Sequence, residues 1–154
     1  MEPDLFGDAA DVLRSILPPK LGAARMRHHK YGLKVWFVES GGKEQISKEH
    51  YEAQIVGARH VPDAKTFALE IGFHSEHPKP VENEQVLTRL TGLEKKWRSR
   101  LGDEAVAGPF LGRDTWCRVS ETWADIDLGD PELPVEIGTR LLDYMTVIEP
   151  LRAH

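Results

Sequence analysis

Apolar residues recur along this chain with two periods, and the switches between them divide it into elements. From Asp4 to Leu17 the residues Leu5, Val12, Leu13, Ile16 and Leu17 fall mostly on one side of a helix that Pro18-Pro19 ends. From Arg25 to Val38 the period becomes two: Leu33, Val35 and Phe37 alternate with Lys34, Trp36 and Val38, the pattern of one long half-buried strand. Ser40-Gly41-Gly42-Lys43 breaks it. His50 to Val56 alternates again, with Tyr51, Ala53 and Ile55 against His50, Glu52 and Gln54. After the turn-like Val61-Pro62-Asp63-Ala64, Phe67, Leu69, Ile71 and Phe73 form one face of a third strand, and Ala68, Glu70, Gly72 and His74 the other.

The loop Ser75 to Val81 leads into one helix, on which Val86, Leu90, Leu93, Trp97 and Leu101 share a stripe and Gly102 supplies the stop. Two short strands follow, around Ala105 to Phe110 and from Thr115 to Trp123, joined through the turn Leu111-Gly112-Arg113-Asp114. Asp130-Pro131 has the form of an N-cap followed by a first-turn proline, and Ile137, Leu141, Tyr144 or Met145, and Ile148 line the last helix up to Pro150. The order is αβββαββα. Its short connections leave no room for parallel crossovers. The expected architecture is a single α+β domain over residues 1–154, a mainly antiparallel five-stranded sheet with helices on one face.

From Phe67 to Leu151 the chain resembles an uncharacterised bacterial domain family often joined to predicted restriction-type nuclease domains. The matching stretches are Phe67-Ala68-Leu69-Glu70-Ile71-Gly72-Phe73, the helix end Trp97-Arg98-Ser99-Arg100-Leu101-Gly102, and the final amphipathic helix. The resemblance implies a fold and brings no catalytic motif with it. A nuclease of that type would want Glu-x-Lys on its sheet. Glu52-Ala53-Gln54 and Glu70-Ile71-Gly72 stand at such positions, and both lack the lysine.

Composition narrows the function classes. Cys117 is the only cysteine, so an intrachain disulfide and a cysteine-based zinc site are excluded. Its place inside a strand reads as a small buried hydrophobe. No apolar run long enough for a signal peptide or a membrane span follows the acidic start, and a cytoplasmic setting is the expectation. The net charge of −5 argues against a dedicated nucleic-acid binder. The distribution is uneven, however: Arg14, Lys20, Arg25, Arg27, Lys30 and Lys34 lie in a stretch without carboxylates, while Glu121 to Glu149 is mostly acidic. Phosphate-loop, dinucleotide, His-Glu-x-x-His and nucleophile-elbow motifs are absent.

The sharper candidate is geometric. A hairpin centred near Pro62 sets His50 opposite His74, Glu52 opposite Gly72, and Gln54 opposite Glu70, with Cβ atoms of directly opposed residues about 4.5–5.5 Å apart. His50 and His74 then have the means to share a proton or a metal. Lys34 and Trp36 turn toward the same polar face, where Gly72 is expected to leave a gap beside the indole. The pattern assigns no cofactor and no defined metal-ligand set. Its leading reading is a non-enzymatic binding or interaction module taking a small polar ligand or a partner through Trp36, His50, Glu52, Gln54, Glu70 and His74.

Two other classes compete with it. One is a metal-dependent or acid/base enzyme centred on His50, Glu52, Glu70 and His74. The other is an accessory nucleic-acid-binding domain using the basic strand with Arg25, Arg27, Lys30 and Lys34, although only Tyr31 is at hand to stack on a base. A homodimer is expected as well, because four tryptophans and an open sheet edge are hard to cover in one domain of this length.

Overall fold

A computed structural model of the chain describes residues 4–38 and 46–152. The Ser40-Gly41-Gly42-Lys43 break lies outside the described residues. Among those described, the fold is α+β, with four α-helices and one six-stranded antiparallel sheet. The helices are α1 (Leu5–Ile16), α2 (Pro80–Gly92), α3 (Glu94–Leu101) and α4 (Leu133–Ile148). The strands are β1 (Ala24–His29), β2 (Gly32–Phe37), β3 (Glu49–Gly57), β4 (Phe67–Ser75), β5 (Val106–Phe110) and β6 (Arg113–Ala124), in the spatial order β1-β2-β3-β4-β6-β5.

Six strands replace the expected five because the alternation from Arg25 to Val38 runs through a hairpin. Lys30 and Tyr31 form the turn, and the chain doubles back so that Arg25 pairs with Trp36 and Arg27 with Lys34. The two-residue turn reverses the phase of the alternation, from Ala24 and Met26 in β1 to Val35 and Phe37 in β2, a shift that reading one continuous strand passes over. The expected single helix through Leu101 is also two. Leu93 leaves helical geometry (φ −107°, ψ 16°), and the Trp97 indole Nε1–H donates to the Leu90 carbonyl at 2.7 Å. An uninterrupted helix would give that carbonyl to the Glu94 N–H. Helix α4 begins later than the Asp130-Pro131 signal: Asp130 accepts the Glu132 N–H in the turn before it, and Pro134 occupies the first helical turn.

The helix side of the sheet holds the core. Leu33, Val35, Tyr51, Ala53, Leu69, Ile71, Phe73 and Val119 are buried there against Phe6, Leu13, Leu90, Trp97, Leu141 and Tyr144. Each fully buried aliphatic side chain contributes about 1.5–3 kcal/mol through burial. Asp4 caps α1 by accepting the Gly7 N–H at 3.1 Å, and α1 lies against α4. The approach is close at Gly138, where a Cβ would stand 2.9 Å from Val12 Cγ1 and 3.1 Å from the Ala9 carbonyl. Cys117 is buried on this side, its Sγ–H directed at the Asn83 carbonyl. A single copy of the chain already covers Trp36 and Trp97. No helix among the described residues is long and apolar enough to cross a membrane.

Candidate metal centre

The opposite face of the sheet is polar, and its middle, on β3, β4 and β6, is buried. The β3–β4 hairpin has the expected register: His50 pairs with His74, Glu52 with Gly72, and Gln54 with Glu70. Directly opposed residues of an antiparallel pair point to the same side, so the pairings compose rows across the sheet. One row runs Arg27, Lys34, Glu52, Gly72, Ser120. The next holds His50, His74 and Arg118, and Trp36 joins it one residue past Val35–Tyr51, the last pair of β2 with β3. A third contains His29, Gly32, Gln54, Glu70 and Thr122.

Helices were expected on one face only, which left this face without a predicted cover. His74 and Glu70 are 0% exposed, His50 2% and Glu52 5%. Part of the cover comes from the β5–β6 tip, where the register shift between Pro109 and Phe110 lets the Phe110 ring pack edge-on against His74, centroids 4.7 Å apart. Beyond it Gly112, at φ +75°, meets the His60 ring from the β3–β4 connection. Gly72 does not leave the gap expected of it. A Cβ there would lie 2.4 Å from the Val119 carbonyl oxygen, so the glycine admits the β6 backbone and the space is already filled.

Four side chains converge in this covered region: His50, Glu52, His74 and Glu76. Around the centre, His50 Nε2 lies 3.0 Å from Glu52 Oε1 and 3.4 Å from Glu76 Oε2, while His74 Nδ1 lies 3.2 Å from each of the same two oxygens. Glu76 was missed in the sequence because it falls in what reads as a loop. The ladder in fact continues past the end of β4, with the Glu76 N–H donating to the Lys48 carbonyl at 2.8 Å. That extra step keeps Glu76 on the face of His74, two residues earlier.

The outer nitrogens of both imidazoles are anchored. His50 Nδ1–H donates to the Ser47 carbonyl at 2.9 Å, and His74 Nε2–H donates to Glu70 Oε2 at 2.7 Å. Glu70 is itself steadied by the Gln54 side-chain N–H at 3.0 Å. Glu70 and Gln54 therefore belong to the site as supports of His74, and the structure does not bring either into the inner four. With the outer nitrogens carrying protons, a neutral His50 Nε2 and a neutral His74 Nδ1 present lone pairs to two carboxylates. Lone pairs facing lone pairs repel, so the centre needs positive charge, supplied by two protons or by one divalent cation.

The protonation equilibria reflect the same demand. Burial acts against the charged form of both histidines, yet the carboxylates outweigh it: Glu52 and Glu76 raise the pKa of His50, and Glu70, Glu52 and Glu76 hold that of His74 well above its ordinary value. Burial alone would push Glu52 up, but hydrogen bonds from His50 and His74 bring it down to about 2, and Glu76 is lowered for the same reason. Lys34 Nζ stands 4.0 Å from Glu52 Oε1 at the margin.

The basic residues join this face instead of forming a separate surface. The β1–β2 pairing turns Arg25 and Arg27 to the side of Trp36 and Lys34; Lys30 sits in the exposed turn. The Trp36 indole is 6% exposed, and among the described residues its buried Nε1–H has no acceptor.

Two other polar clusters are self-contained. Glu121 accepts from Arg140, Tyr144 and Trp123 on the helix side. Glu49, His77, Glu82 and Arg152 line a cleft of about 270 Å³ beside α2, where their charges pair with one another. No family model, curated protein or solved structure matches the chain.

Proposed function

We propose that this protein is a metal-binding protein whose polar sheet face holds one first-row divalent ion between His50, Glu52, His74 and Glu76. The observation that carries the reading is the spacing of the inner atoms. Bonds of about 2.0–2.1 Å to four tetrahedral ligands put neighbouring ligand atoms about 3.3–3.4 Å apart. The four nitrogen–oxygen edges of this cluster span 3.0–3.4 Å before any ion draws on them. The outer shell supports the same reading, since metal-bound imidazoles characteristically donate their other N–H to a carboxylate or a backbone carbonyl. Glu70 and Ser47 supply one of each.

Two imidazole nitrogens and two carboxylate oxygens suit zinc or a neighbouring first-row ion; calcium and magnesium prefer all-oxygen shells, and no thiolate is present to favour copper(I). Bound there, the ion supplies Lewis-acid chemistry. A solvated patch of sheet would leave its histidines in water. Here both are enclosed, oriented from behind, and aimed at a common point.

The test is elemental analysis of untagged protein, followed by reconstitution with each first-row ion. One equivalent per chain is expected, falling away in His74→Ala and Glu52→Gln. Saturation at about 100 times the dissociation constant should raise stability by about 2.7 kcal/mol. For a chain of this size that is a rise in Tm of roughly 5–10 °C. A protein that takes up no ion, or binds equally well without His74, would falsify the assignment.

A further inference from the structure

We infer that the metal centre takes a small oxyanion, a carboxylate or a phosphate, which enters from the β1–β2 side and accepts a hydrogen bond from Trp36. This rests on the metal reading above and names the ligand class of that site. Exposure around the centre is uneven. The His74 side chain and its support Glu70 are sealed, whereas Glu76 keeps 12% of its side chain exposed and Lys34 keeps 31%. On the β2 side, solvent therefore comes nearest the centre at Lys34.

That approach carries positive charge and a spare donor. Lys34 stands on it beside Glu52, Arg27 lies on the same face in the adjoining strand, and Trp36 neighbours the row of His50 and His74. Positive charge from Lys34 and Arg27 on that side raises the local concentration of anionic ligands. Trp36 is the independent observation. Among the described residues its Nε1–H has no partner although the indole is 94% buried, as 6% exposure implies. A buried donor without an acceptor is costly, about 1–3 kcal/mol, and proteins rarely leave one unmet. An oxygen of an anion bound to the ion meets it. Glu52 Oε1 and Glu76 Oε2 are already engaged with the two imidazoles.

The arrangement divides labour among the residues. A bound ion would take one oxygen of the ligand as a fifth donor, Trp36 would fix a second, and Lys34 and Arg27 would draw the anion in without contacting the ion. No bond is made or broken in this step.

The experiment uses full-length protein loaded with cobalt(II), whose visible absorption reports its coordination. The protein is titrated with sodium acetate and, separately, with inorganic phosphate at constant ionic strength. The expected result is a saturable spectral change with at least one of them, and the arm that responds at lower concentration identifies a carboxylate or a phosphate ligand. Trp36→Phe keeps the ring and removes the donor. It should bind cobalt as the parent does and weaken the anion by about 2- to 12-fold, the equivalent of one net hydrogen bond. Lys34→Gln should slow association and flatten its salt dependence.

Cobalt bound without any spectral response to either anion overturns this inference and leaves the metal centre standing. An unchanged anion affinity in Trp36→Phe overturns the role of the indole. Failure of cobalt to bind overturns both readings together.

Discussion

Replacing Glu70 with glutamine changes one oxygen to an amide nitrogen at a position with no exposure, and the consequence can be followed atom by atom. In the native protein His74 Nε2–H donates to Glu70 Oε2 at 2.7 Å, and Glu70 Oε1 accepts from Gln54 at 3.0 Å. That arrangement keeps His74 Nδ1 turned to Glu52 and Glu76, where the proposed ion would bind it. Glutamine can be placed in two ways. If its amide nitrogen faces His74, two donors collide, and His74 must move its proton to Nδ1, which removes a ligand. If its oxygen faces His74, Gln54 must turn over to accept, and the tautomer survives with a weaker, uncharged support.

The second arrangement sets the smaller effect and the first the larger. Loss of such outer support costs about 10- to 100-fold in metal affinity, or about 1.4–2.7 kcal/mol. The assay is competition of the metal-loaded protein against a chelator of known affinity, with circular dichroism to confirm that the fold persists. Glu70→Gln binding the ion as tightly as the parent would refute the argument that Glu70 orients His74.

Four further outcomes are expected. Leu69→Ala and Ile71→Ala, both fully buried on the helix side, should each lower stability by about 2–5 kcal/mol in denaturant unfolding, and a cost no larger than a surface change would show that face misassigned. Burial pushes the Cys117 thiol up to about 11, so the native protein should resist a thiol reagent at pH 7.5 and react only when unfolded; rapid labelling of the folded chain would contradict this. Glu121→Ala strips Arg140, Tyr144 and Trp123 of their shared acceptor and should cost about 2–4 kcal/mol, measured the same way.

The fourth concerns pH. Both histidines have raised folded-state pKa values, so in the metal-free protein their contribution to stability is fully present below the unfolded value of about 6.5 and is lost as pH rises through the folded values. Glu52 contributes above its unfolded value and loses that contribution as pH falls toward about 2. Metal displaces the imidazole protons, so calorimetry in buffers of different ionisation enthalpy should find between one and two protons released per ion at pH 7. Uptake without proton release would mean that the ion is not bound by these nitrogens.

What could be read from the sequence and what could not separate along a physical line. The register of β3 against β4 was legible because period-two alternation ran unbroken on both sides of one turn, and a single-residue slip would have carried every apolar side chain to the wrong face. The juxtaposition of His50 with His74 follows from that register alone. The β1–β2 hairpin left a fainter mark: its two-residue turn reverses the phase, so Ala24 and Met26 share a face with Phe37 and Val35, and β1 carries too few apolar residues for that reversal to stand out. Its discovery matters for the site, because folding back is what carries Arg27 to the side of Lys34 and Trp36.

Glu76 was illegible for a different reason. Its place depends on one backbone hydrogen bond to Lys48, past the point where side-chain pattern marks the strand's end. The burial of the polar face was equally out of reach. Alternation identifies which residues share a face but not which distant segment covers it, and here Phe110 closes over His74 through a register shift that leaves no signature in the order of residues. Burial is what separates the readings that alternation left open. Had the face stayed in water, the histidines would need no shared cation. Enclosed with two carboxylates and anchored from behind, they need positive charge among the four inner atoms, as two protons or as the one proposed divalent ion.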